Sequence, residues 1–174
     1  WAFNQLVAHY PAGPPYNNSA VALSGTARDT GQQITTGTEP IDLVSCSVIL
    51  FDVVAGTTIT CSLYGDNGPT APGTTAITTF GTTYTTTNAG VQTGTFAPAS
   101  PVTLQPNTSY WLCFDDGAAA DGNIEQGFLK YSGGQARTSS TSSASYSLGF
   151  VVFGRAGALA SSLARRSATW PSPS

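Results

Sequence analysis

Residues 43–51, LVSCSVILF, and residues 57–64, TTITCSLY, decide the fold. In the first, Val44, Cys46, Val48 and Leu50 fall on every second position; in the second, Ile59, Cys61 and Leu63 do the same. A period of two belongs to an extended strand that turns one face to a core and the other outward. β-Branched and aromatic side chains suit the pleated surface, and Gly, Pro, Asn and Asp close off each run.

The same signature recurs outward from this pair, at residues 76–84 (AITTFGTTY), 91–96 (VQTGTF), 102–104, 109–114 (SYWLCF), 127–131 (GFLKY) and 145–153 (SYSLGFVVF). Short strands at this spacing predict an all-β fold, an antiparallel sandwich of immunoglobulin-like or jelly-roll-like type with roughly seven to ten strands. The one helical pattern is AGALASSLARR at 156–166, with Leu159 and Leu163 four apart and two arginines in its last turn. It reads equally as a plain tail. A single domain at 31–153 is expected, preceded by an N-terminal arm and Pro-rich link over 1–30 and followed by a tail over 154–174.

Charge is scarce. The 174 residues hold 6 Lys and Arg against 9 Asp and Glu, a net charge of −3 and a pI near 4.7. Nucleic acid is excluded as a partner, because phosphate binding needs a basic stripe and the only adjacent cations are Arg165 and Arg166. No membrane insertion is expected, since no apolar run approaches the roughly 20 residues of a spanning helix. From Asn67 to Phe114 there is no Asp, Glu, Lys, Arg or His, and half of residues 74–95 are threonine. General acid–base and nucleophilic catalysis need titratable groups converging in a pocket, so the reading is non-enzymatic and without a cofactor. The only histidine, His9, stands in the terminal segment, and no serine sits in a G-x-S-x-G turn.

Cys46 and Cys61 alternate with apolar residues on neighbouring strand candidates, so they can pair as a disulfide or stand as two buried core thiols. Cys113 makes the count odd, and with no C-x-x-C pattern a metal site is not expected. Asp115, Asp116, Asp121, Asn123 and Glu125 cluster in DDGAAADGNIE, but their spacing departs from the calcium-loop template. A polar hairpin loop is expected there. Two sequons, at Asn17 and Asn107, mark candidate acceptors for covalent N-linked glycans.

GQQITTG (31–37), SVIL (47–50), SLYGDNGPTAPGT (62–74) and LQPNTSYWLCF (104–114) together resemble the bacterial choice-of-anchor R domain over about residues 31–153. The 62–74 hairpin and the Tyr110-Trp111 strand are its most specific parts. The resemblance implies an extracellular β-sandwich displayed on a cell surface, with no catalytic residues to carry over. A chain that starts at Trp1 is then expected to have lost a leader peptide.

The first ten residues, WAFNQLVAHY, lie outside that match and are tied to it by PAGPPYNNS. Trp1, Phe3 and Val7 share one face of an extended strand and Leu6, Ala8 and Tyr10 the other, which suits insertion into a core more than a wet edge. Such a strand either completes its own sandwich or is donated to a neighbouring subunit, head to tail, which builds a filament of identical chains. The competing class is a carbohydrate-binding surface module, which would stack sugars on exposed aromatics among Tyr64, Tyr84, Trp111, Tyr131 and Tyr146.

Overall fold

The computed structural model describes residues 5–9, 19–23, 28–68, 70–81, 83–87, 90–117, 123–127, 135–138, 141–143, 147–148 and 150–156. These form strands β1 (Gln5–His9), β2 (Ser19–Ala22), β3 (Gly31–Thr35), β4 (Ile41–Val53), β5 (Thr58–Asp66), β6 (Pro72–Thr79), β7 (Tyr84–Thr85) and β8 (Gly90–Phe96). They continue with β9 (Val102–Leu104), β10 (Ser109–Asp115), β11 (Asn123–Gly127), β12 (Ala136–Thr138), β13 (Thr141–Ser143), β14 (Ser147–Leu148) and β15 (Phe150–Ala156). No α-helix occurs among the described residues.

Two antiparallel sheets pack face to face, as the alternating stretches require. The first sheet has eight strands on the path β1-β15-β4-β11-β14, with β2 against β11 and both β8 and β9 against β4. The second has seven, ordered β13-β12-β3-β10-β5-β6 with β7 against β5. The core between them takes Leu43, Cys46, Val48 and Leu50 from β4, Ile59, Cys61 and Leu63 from β5, and Leu112 and Phe114 from β10. Phe96 and Phe114 meet across it with ring centroids 5.8 Å apart at 55°.

Among the described residues fifteen strands stand where seven to ten were expected. The stretch 76–84 divides, because β6 ends at Thr79 and β7 begins only at Tyr84. Strands such as β2 (SAVA), β12 (ART) and β13 (TSS) are three or four residues long, too short for alternation to be read. The expected strand 127–131 is placed earlier, as Asn123–Gly127, and 128–131 lie outside the described residues. Of the helical pattern at 156–166, Ala156 ends β15 as extended chain and the remainder lies outside the described residues.

β1 pairs with β15 (Gln5↔Gly154, His9↔Val151) and β2 pairs with β11 (Asn123↔Ala22, Gln126↔Ser19), so both N-terminal strands belong to the first sheet. On the other side β15 runs on to Ala156, opposite Ile41.

Candidate functional site

The segment singled out for assembly forms an edge. β4 pairs with β15 and β11 along one side and with β8 and β9 along the other. β1 is the outer neighbour of β15 and β2 the outer neighbour of β11, so both line the same margin of the first sheet. Among the described residues β1 is held through one ladder, to β15. Between Leu6 and Ala8 the register slips by one residue, which makes Val7 the extra residue of a β-bulge. The strict alternation expected from Trp1 to Tyr10 therefore does not run through Val7. Trp1, Phe3 and Tyr10 lie outside the described residues, as does the link over 10–18.

The outer face of the second sheet carries a feature that alternation did not reveal. β10 is buried on both faces: Tyr110, Leu112 and Phe114 join the main core, while Trp111 and Cys113 pack with Tyr64 in a separate small cluster. Gln33, Trp111 and Tyr64 lie side by side in register across β3, β10 and β5. The Trp111 indole N–H donates to Asp66 Oδ1 at 2.7 Å, and the Gln33 side-chain amide donates to the same oxygen at 2.9 Å. Arg137 donates to the carbonyls of Arg28 (2.9 Å) and Thr70 (2.9 Å), and Arg28 donates to the carbonyl of Gly73 (3.3 Å). These bonds tie β12, residue 28 and the 66–72 hairpin together on the face that carries Trp111 and Cys113. Burial pushes the Cys113 thiol up to about 12.

Gly31 opens the GQQITTG motif for a steric reason. A Cβ there would stand 2.7 Å from the Leu112 carbonyl and 2.9 Å from Cys113 Sγ, so only glycine lets β3 approach β10 this closely.

Of the candidate stacking aromatics, the three among the described residues are buried or half-buried. Trp111 is 0% exposed and Tyr64 6%, and the half-buried Tyr84 donates its hydroxyl to Gln92 at 3.0 Å. Tyr131 and Tyr146 lie outside the described residues. Cys46 and Cys61 sit in the main core with sulfur atoms 3.6 Å apart, as free thiols.

The acidic run is not the hairpin loop expected. Asp115 closes β10 in the second sheet, whereas Asn123 and Glu125 belong to β11 in the first, so the connection crosses between sheets. Asp115 accepts the N–H of Gly117 at 2.8 Å, Asp116 is buried, and Asp121 lies outside the described residues. Among the described residues no three His, Cys, Asp or Glu side chains come together as a metal site.

Asn107 is exposed at the corner where β9 of the first sheet passes to β10 of the second. Its φ is 49°, and its backbone N–H donates to the Gly37 carbonyl at 2.8 Å. Asn17 lies outside the described residues. A shallow cleft of about 240 Å³, lined by Asp42, Leu43, Val44, Pro98, Pro101 and Arg155, brings together one carboxylate and one guanidinium but no nucleophile with a base.

Comparison with protein-family models, with curated proteins and with solved structures yields no match to this chain.

Proposed function

We propose that the chain is a non-catalytic structural protein of the cell exterior, a sandwich subunit that polymerises head to tail by handing β1 to a neighbour. The observation that carries this reading is the place of β1, which among the described residues is an edge strand attached through a single ladder to β15. It is joined to β2 by residues 10–18, whose sequence contains Pro11, Pro14 and Pro15. A strand so attached can leave its own β15 and form the same ladder on another subunit, which exchanges like for like and costs little beyond the hinge. Prolines in that hinge favour an extended link over a tight return, and so favour the neighbour.

Withdrawal of β1 would bare the outer edge of β15, a row of backbone donors and acceptors that a second β1 satisfies. The burial of Trp111 and Tyr64 supports a structural reading over a sugar-binding one, because neither ring offers a stacking platform. The resemblance to the choice-of-anchor R domain points to the same setting, and its two most specific motifs are the ones joined by the Trp111–Asp66 bond. An exposed Asn107 at a corner suits a covalent glycan on such a surface.

The test is deletion of residues 1–10. The truncated subunit should lose polymerisation and should bind and be stabilised by the free peptide WAFNQLVAHY. Filaments formed by the truncated protein as readily as by the full chain would sink the proposal.

A further inference from the structure

Three cysteines leave three ways to make one disulfide, and the two-layer architecture separates them. Cys46 lies on β4 of the first sheet and Cys61 on β5 of the second; their sulfurs stand 3.6 Å apart and both residues are 0% exposed. Cys113 lies on β10 of the second sheet but packs in the small outer cluster with Trp111 and Tyr64. Its chain neighbours Leu112 and Phe114 point into the main core, so the backbone of the second sheet stands between Cys113 and the other two thiols. From 3.6 Å, the two core sulfurs need to close by about 1.5 Å to reach bonding distance.

We propose that Cys46 and Cys61 are oxidised to a disulfide that links the two sheets while the chain folds, that Cys113 stays a thiol, and that the finished fold seals whichever state it closed upon. The oxidant is a disulfide compound, RSSR. One cysteine thiolate attacks a sulfur of RSSR, forming a mixed disulfide and expelling one thiol, RSH. The second cysteine thiolate then attacks the cysteine sulfur of that mixed disulfide and expels the second RSH. Both cysteines are oxidised, the reagent is reduced, and the two cysteine protons leave on the two expelled thiols.

Neither step proceeds readily once the sandwich is closed. The attacking species is the thiolate, which needs both ionisation and access. Burial and the neighbouring Cys46 push the Cys61 thiol well above its ordinary value, and neither sulfur meets solvent. Cys113 is shielded in the same manner.

The test compares two orders of addition with one reagent pair. Reduced, unfolded protein is refolded in a mixture of oxidised and reduced glutathione, and separately the reduced folded protein is incubated in that same mixture. Each sample is then denatured, alkylated and mapped by mass spectrometry. Oxidative refolding should leave one alkylatable thiol, at Cys113, with Cys46 joined to Cys61. The protein already folded should keep all three thiols. With the partners 15 positions apart in the chain, the oxidised form should melt roughly 6–12 °C higher than the reduced one. A bond mapped to Cys113, three thiols after oxidative refolding, or equal oxidation of the folded protein would each overturn the proposal.

Discussion

Asp66→Ala tests whether the outer cluster of the second sheet is a fastening or a bystander. The Trp111 indole N–H donates to Asp66 Oδ1 at 2.7 Å while the Trp111 residue is 0% exposed, so loss of the carboxylate removes the acceptor of a buried donor. A stranded buried donor costs about 1–3 kcal/mol. Asp66 itself is exposed, so the carboxylate makes no large desolvation demand and its removal should not be offset by relief of strain. Trp111→Phe removes the donor and part of the ring volume, at a cost of about 1–3 kcal/mol. In the double variant the stranded donor no longer exists. The two costs should therefore fail to add, with a coupling of about 1–2 kcal/mol, while Gln33 is unchanged in all four proteins. The assay is guanidinium unfolding followed by far-ultraviolet circular dichroism. Additivity within about 0.3 kcal/mol would refute the coupling and reduce the bond to an ornament of packing.

Further expectations concern the same face of the molecule. Gly31→Ala should destabilise by about 1–3 kcal/mol, because its Cβ meets the Leu112 carbonyl at 2.7 Å, whereas Gly37→Ala, with nothing within 4 Å, should cost far less; thermal melts of the two variants compare them directly. Alkaline pH should loosen the fold. Burial raises the Cys113 thiol from 9.0 to about 12, so the folded state holds a proton that the unfolded state gives up. That contribution is complete below about pH 9 and is lost as pH rises through about 12. Cys113→Ala should flatten the decline between pH 9 and 11, and an unaltered slope would contradict the assignment.

Much of the sandwich was legible because burial on one face leaves a period of two, and Val48, Leu50, Ile59 and Leu63 keep it. The short ladders were not, since a strand such as Thr141–Ser143 owes its conformation to β12 beside it and not to its own side chains. The outer cluster left a different trace. YWLCF at 110–114 is apolar without interruption, and a run of that kind in a short strand signals burial on both faces. What the run could not disclose is the cover: Arg28 and Arg137 reach the Gly73 and Thr70 carbonyls over sequence separations of 45 and 67 residues, which no local pattern encodes. The N-terminal strand was legible as extended and apolar, but its partner was not, because β15 lies at the opposite end of the described chain. The bulge at Val7 was hidden too, since a bulge is a mismatch between two strands and appears in neither sequence alone.

Sedimentation velocity of the full-length protein over a wide range of concentration tests the central claim most directly. Exchange of β1 predicts a ladder of species heavier than 17.8 kDa that grows with concentration and collapses to the monomer when residues 1–10 are removed. A single species near 17.8 kDa at every concentration would contradict it and leave β1 as the closing strand of its own sheet.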